Sequence, residues 1–118
     1  MLSEREFGEF KRGPLQMLVL FLLSQQDMYG YQIAQEIKAR SGGKFVVSET
    51  AFYVVLYRLI DKGYITKQKE VGVKKARVFY HLEPTGLDFL TDLLNAYQTM
   101  SDGVWEILNS GAERESKN

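Results

Sequence analysis

The sequence predicts a mostly α-helical chain that carries one small β-hairpin and ends in a long helix, and three observations predict it. Apolar residues recur at helical spacing in Phe52, Val55, Leu56, Leu59 and Ile60. Directly after this segment come two short runs rich in β-favouring and basic residues, Ile65 to Glu70 and Ala76 to Leu82, with Gly72 marking a turn between them. From Pro84 to about Asn109 two adjacent apolar stripes run at near-heptad spacing.

The helix before the hairpin has both of its boundaries written in the residues. Ser48 can accept a hydrogen bond from an orphan N–H of the first turn, and Glu49 puts negative charge at the positive end of the helix dipole. Lys62 and Gly63 supply the stop. Opposite the apolar face lie Thr50, Tyr53, Val54, Tyr57 and Asp61, with Arg58 at the edge. Tyrosines on a polar face are also ordinary amphipathic surface residues, so this helix by itself does not assign a function.

Charge adds to it. From Arg58 to His81 there are seven Lys/Arg and two acids, although the chain as a whole balances 15 basic against 15 acidic residues. Phosphate backbones are bound by such local concentrations of cations, because neutralising them releases condensed counterions. Lysines also serve simply to protect edge strands from pairing. A helix with an exposed aromatic face joined to a basic strand pair favours the winged helix-turn-helix arrangement, with the hairpin as the wing.

The segments MLVLFLL, YGYQIAQEI, SETAFYVVLYRLIDKGYI and RVFYHLEPTG, in this order and at these distances, resemble the PadR family of bacterial transcriptional regulators from about Gly13 to Trp105. Val54 stands where many members have Pro, and Glu83 where a Thr commonly opens the last helix. The resemblance implies a winged helix-turn-helix with a long C-terminal dimerisation helix. It also implies a homodimeric regulator, a repressor in the first instance, on double-stranded DNA with an inverted-repeat operator. The residues expected at DNA are Ser48, Thr50, Tyr53, Tyr57 and Arg58 on the helix, and Lys67, Lys69, Lys74, Lys75 and Arg77 on the wing. Thr50, Tyr53 and Tyr57 would read bases, and the wing cations would hold phosphates.

The remaining elements follow in order. Ser3 and Glu6 have capping-box spacing, which predicts a short helix to about Lys11. Gly13 and Pro14 are expected to break it and start another, with Leu15, Leu18, Val19, Leu22 and Leu23 buried. Met17, Leu20 and Phe21 leave that helix apolar nearly all round, as in a central helix or a subunit contact. Tyr29, Gly30 and Tyr31 are expected to turn into a helix over Tyr31 to Ala39, ended by Ser41, Gly42 and Gly43. An extended link, Phe45 to Val47, then leads to Ser48.

In the last helix Leu87, Leu90, Leu94, Tyr97, Met100, Val104 and Leu108 are expected to make the dimer contact, and residues 111–118 to form a polar tail. About 25 helical residues measure close to 38 Å, long enough to leave the domain behind; a break at Gly103 with the chain folded back is the alternative. Residues 1–82 would then be the DNA-binding domain, and 83–110 the dimerisation helix. Met17, Phe21, Tyr97, Met100 and Trp105 are candidates to line a site for a flat hydrophobic effector near the dimer axis, a property for which part of the family is known.

Other functions are disfavoured by composition. There are no cysteines and one histidine, so neither a disulfide framework nor a multi-His centre is available within the chain, and no cofactor or metal is expected. No spacing picks out a nucleophile and its base, so no enzyme is expected, and His81 reads as structural or as a phosphate contact. The apolar run after Lys11 and Arg12 has no small-residue cleavage site behind it and is too short to span a bilayer, which predicts a cytoplasmic protein. A winged helix used solely for protein contacts remains the alternative of a different class.

Overall fold

The computed structural model describes residues 1–70 and 77–116. Its elements are α1 (Glu4–Gln25), β1 (Met28–Tyr29), α2 (Gly30–Arg40), α3 (Glu49–Asp61), β2 (Ile65–Lys69), β3 (Val78–Leu82) and α4 (Pro84–Ser116). The expected turn at Gly72 and the wing residues Lys74, Lys75 and Ala76 lie outside the described residues.

The N-terminal helix corrects the expectation of two pieces. Ser3 and Glu6 form the reciprocal capping box, but the helix then continues through Pro14 to Gln25. An internal proline costs about 3 kcal/mol through its missing N–H and ring clash. Part of that clash is with the Cβ of the preceding residue, and Gly13 has none. The first turns are also tied down, since Lys11 Nζ donates to the Val46 carbonyl at 2.6 Å and sits 5.8 Å from the Phe45 ring centre. The hydroxyl and amide of Ser3 hold the Glu6 carboxyl below the usual carboxylate range.

Beyond Pro14 the helix is central. Leu15, Val19, Leu20, Leu22 and Leu23 are all buried, and each such side chain contributes roughly 1.5–3 kcal/mol. They meet Ile33 and Ile37 of α2 and Phe52, Val55, Leu56 and Leu59 of α3, so the apolar faces read from the sequence converge on one core. Leu18 and Ile60 pack at its margin, partly buried.

The sheet has a third strand. Its order is β1-β3-β2, all antiparallel, with Met28 opposite Tyr80 and Tyr29 opposite Phe79. The expected turn at Tyr29 and Gly30 is therefore a strand end followed at once by helix α2. Buried Met28 anchors this strand in the core. The hairpin itself is as expected, somewhat shorter at each strand, with Ile65 opposite Leu82 and Lys69 opposite Val78.

Glycines at φ 63° and 82° (Gly42 and Gly43) end α2, and Gly63 at φ 78° follows α3, a backbone region that other residues enter at a steric cost. Gly86 serves a different end. A Cβ there would overlap the Tyr64 carbonyl oxygen, so the first turn of α4 lies directly on the loop between α3 and β2. Thr85 Oγ1 donates to the Gly63 carbonyl at 2.7 Å, and the Tyr64 and Phe89 rings stack with centres 4.3 Å apart. Glu83 turns its carboxylate to the Thr66 hydroxyl at 2.9 Å, while its carbonyl receives the Gly86 and Leu87 amides.

α4 runs 33 residues without a break at Gly103, and it continues past the expected end near Asn109 to Ser116. A helical glycine costs about 1 kcal/mol, a small penalty within nine turns of helix. The helix accounts for the elongated shape, 71 × 31 × 23 Å.

Candidate nucleic-acid interface

α3 presents the face that its sequence predicts. Ser48 caps it, the hydroxyl accepting from the Ala51 amide at 3.2 Å. Thr50, Val54, Tyr57 and Arg58 are exposed, Tyr57 by 56%. Tyr53 differs, for it is half-buried and packs at the margin of the core. Its ring meets Phe52 edge-on at 5.5 Å and Tyr57 at 6.1 Å, and its hydroxyl lies beside Gly30 of α2. Tyr53 thus joins the two helices, and Tyr57 is the more available of the pair.

On the wing, Lys67 and Lys69 alternate along β2, at the edge of the sheet, and both are exposed. Their strand starts at buried Ile65 and runs off the core, which is why residues on the core-facing side of the pleat can be lysines. Arg77 is exposed at the other strand and is not isolated. Its guanidinium lies 5.8 Å from the centre of the Tyr29 ring, Tyr29 donates its phenolic proton to Glu70 at 2.7 Å, and Tyr31 stacks on Tyr29 at 5.9 Å. The hydrogen bond to Glu70 holds the Tyr29 phenol above its ordinary range, against the opposing effect of Arg77. Tyr29 in turn raises Arg77, so the cation is secure.

This cluster fastens the wing base to the start of α2. Sequence reasoning treated Tyr29 and Tyr31 as turn residues and missed it. The available signal was their i, i+2 spacing around Gly30, but its meaning depends on β1 pairing with a strand some fifty residues on. His81 pairs with Asp27, Nδ1 to Oδ1 at 2.7 Å, which makes it a link from β3 to the loop after α1.

The α4 residues divide. Leu90, expected at the dimer contact, is 4% exposed and belongs to the chain's own core, because Gly86 brings the first turns of α4 down onto it. Leu87, Leu94, Tyr97, Met100, Val104 and Leu108 are exposed. Of the expected effector residues, Met17, Phe21 and Tyr97 line one cavity of about 580 Å³ between α1, the end of α2 and α4. Met100 and Trp105 do not line it; Trp105 stands farther along α4, 60% exposed. Among the described residues no helix is long and apolar enough to cross a membrane.

Comparison with known proteins agrees with this geometry. Residues 19–92 match the transcriptional regulator PadR-like family. An uncharacterized protein X of Lysinibacillus sphaericus is 30% identical over 103 residues, 86% of this chain and 94% of its own length. The crystal structure of a PadR family transcriptional regulator from Eggerthella lenta superposes with a TM-score of 0.75 at 27% identity, covering 85% of this chain and 86% of that one. Bacillus subtilis PadR, solved in complex with operator DNA, gives a TM-score of 0.61 at 28% identity over 68% of this chain and 46% of that chain. With the family match spanning most of the sequence and the fold shared with a PadR family regulator over most of both chains, the chain belongs to the PadR-like family of transcriptional regulators.

Proposed function

We propose that this regulator is a sequence-specific repressor that binds an inverted-repeat operator as a homodimer. The observation that carries the reading is the joint exposure of the α3 face, Thr50, Tyr57 and Arg58, and of the neighbouring wing cations, Lys67, Lys69 and Arg77. Support comes from the Bacillus subtilis relative, whose structure holds operator DNA. In this reading α3 enters the major groove, Thr50 and Tyr57 meet base edges, and Tyr53 sets the helix against α2. The wing cations, with Lys74 and Lys75, hold phosphates. Two copies joined through the exposed stripe of α4 would set the half-site spacing.

Salt dependence tests the DNA assignment. Replacing Lys67, Lys69 and Arg77 by Ala should weaken binding to every duplex and flatten the plot of log affinity against log salt by roughly 0.9 for each phosphate no longer neutralised. Tyr57→Ala should cost specific binding more than nonspecific binding. A triple variant with the parent's salt slope would remove the wing from the interface.

A second reading, as sensor of a flat hydrophobic molecule, is favoured by the cavity that Met17, Phe21 and Tyr97 line. Its volume suits a small aromatic ligand. Titration calorimetry with planar aromatic compounds should give saturable binding that Tyr97→Ala weakens roughly tenfold, equivalent to about 1.4 kcal/mol of ring stacking. No heat from a broad panel would leave a ligand-independent repressor.

A further inference from the structure

A second groove lies on the opposite flank of α3 from Tyr53, and most of its lining lies outside the residues used in the proposed function. It has a volume of about 1050 Å³ and runs between the N-terminal half of α1, the link before α3 and the first turns of α3. Among the described residues its charged lining comprises five cations, Arg5, Lys11, Arg12, Lys44 and Arg58, and one carboxylate, Glu9. Ser3, Ser48 and Thr50 also line it.

This concentration is unexpected in an N-terminal segment whose sequence runs Glu4, Arg5, Glu6, Glu9. It arises because helical spacing puts Arg5, Glu9 and Arg12 on one side of α1, and the link supplies Lys44 across from them. The placement depends on α1 being continuous through Pro14, since a break there would free the segment from α3. Lys11 stabilises the wall by its bond to the Val46 carbonyl. Arg5 and Glu9 are 3.8 Å apart and both largely exposed, a pair worth little against solvent, so Arg5 is available to another anion.

The groove is continuous with the α3 face, because Ser48, Thr50, Val54 and Arg58 line it and also border the surface assigned to the major groove. An extended polyanion entering at the N-terminus of α3 would pass next along Lys44, Arg12 and Arg5. We infer that the N-terminal half of α1 is a second phosphate-binding arm, and that one DNA strand leaving the α3 contact runs along this groove. The inference rests on the DNA-binding reading and extends it to residues outside the helix-turn-helix and wing. Phosphate contacts of this kind add affinity and lengthen the site without reading bases.

The test uses the full chain and a duplex extended on both sides of the operator. Arg5→Gln, Arg12→Gln and Lys44→Gln together keep helix-compatible side chains and leave α3 and the wing intact. The variant should lose affinity for all sequences, with a salt slope flatter by roughly two to three, about 0.9 for each phosphate released. Hydroxyl-radical footprinting should show the sugars flanking each half-site newly cleaved, and those within it still protected. Glu9→Gln supplies the opposite sign, tighter binding, a result that misfolding does not produce. If the parent shows salt-dependent binding and both variants keep its affinity, slope and footprint, the arm is overturned and the DNA reading stands. If the parent itself shows no salt-dependent duplex binding, the DNA reading fails and the arm fails with it.

Discussion

Replacing Gly86 by Ala is expected to destabilise the fold by roughly 2–4 kcal/mol, at the upper end for overpacking, because the new methyl meets backbone. The Cβ would overlap the Tyr64 carbonyl oxygen and come 2.7 Å from Leu82 Cδ1. The oxygen cannot swing aside freely, since it accepts the Glu83 amide at 3.0 Å. α4 would have to lift, which separates the stacked Tyr64 and Phe89 rings and uncovers Leu90. For a chain of this size the melting temperature should fall by roughly ten degrees. Gly103→Ala is the control. A Cβ at Gly103 meets nothing within 4 Å, so this change should be neutral or raise stability by up to about 1 kcal/mol. Equal melting temperatures for the two variants would show that α4 does not depend on the close approach at Gly86.

The second large effect is expected on assembly. Val104→Asp with Leu108→Asp places two carboxylates on the stripe proposed to join two copies, at positions that are exposed in the single chain. The fold of each chain should therefore persist, with helical circular dichroism unchanged. The self-association constant should fall at least a hundredfold, since uncompensated charge in an interface core costs about 2 kcal/mol or more per site. Sedimentation should then report one chain per particle at micromolar concentration, and operator affinity should drop with it. Retention of the parent's mass would mean that another surface joins the copies.

Gly86 and Val104 stand on one helix, and the two ends of that helix differ in what the sequence revealed. The apolar stripes of α4 are visible as spacing, but Leu90 and Leu94 stand on the same stripe and have different fates. Leu90 is in the core and Leu94 is exposed. The difference lies in the axis of the helix, which Gly86 and the Thr85 contact set close to the domain at one end and which carries it away beyond. Helical period states which residues share a face and does not state how far along that face the neighbour extends.

What the sequence by itself determined are the features whose cause is local. Ser3 and Ser48 cap their helices, glycines end α2 and follow α3, and the 3.6-residue period of α3 divides its core face from its exposed one, because each needs only residues within one or two turns. Tertiary structure alone decided the rest. β1 exists because Met28 and Tyr29 pair with Tyr80 and Phe79, and a two-residue strand has no period of its own to read. Arg77 is held by Tyr29, whose partner Glu70 lies on the other side of the hairpin. Pro14 stays helical because of what surrounds it, a preceding glycine and a lysine tethered to a distant carbonyl. The basic groove forms from residues separated by more than thirty positions, Arg12 and Lys44, whose charges balance out in the composition and add only when the fold brings them together.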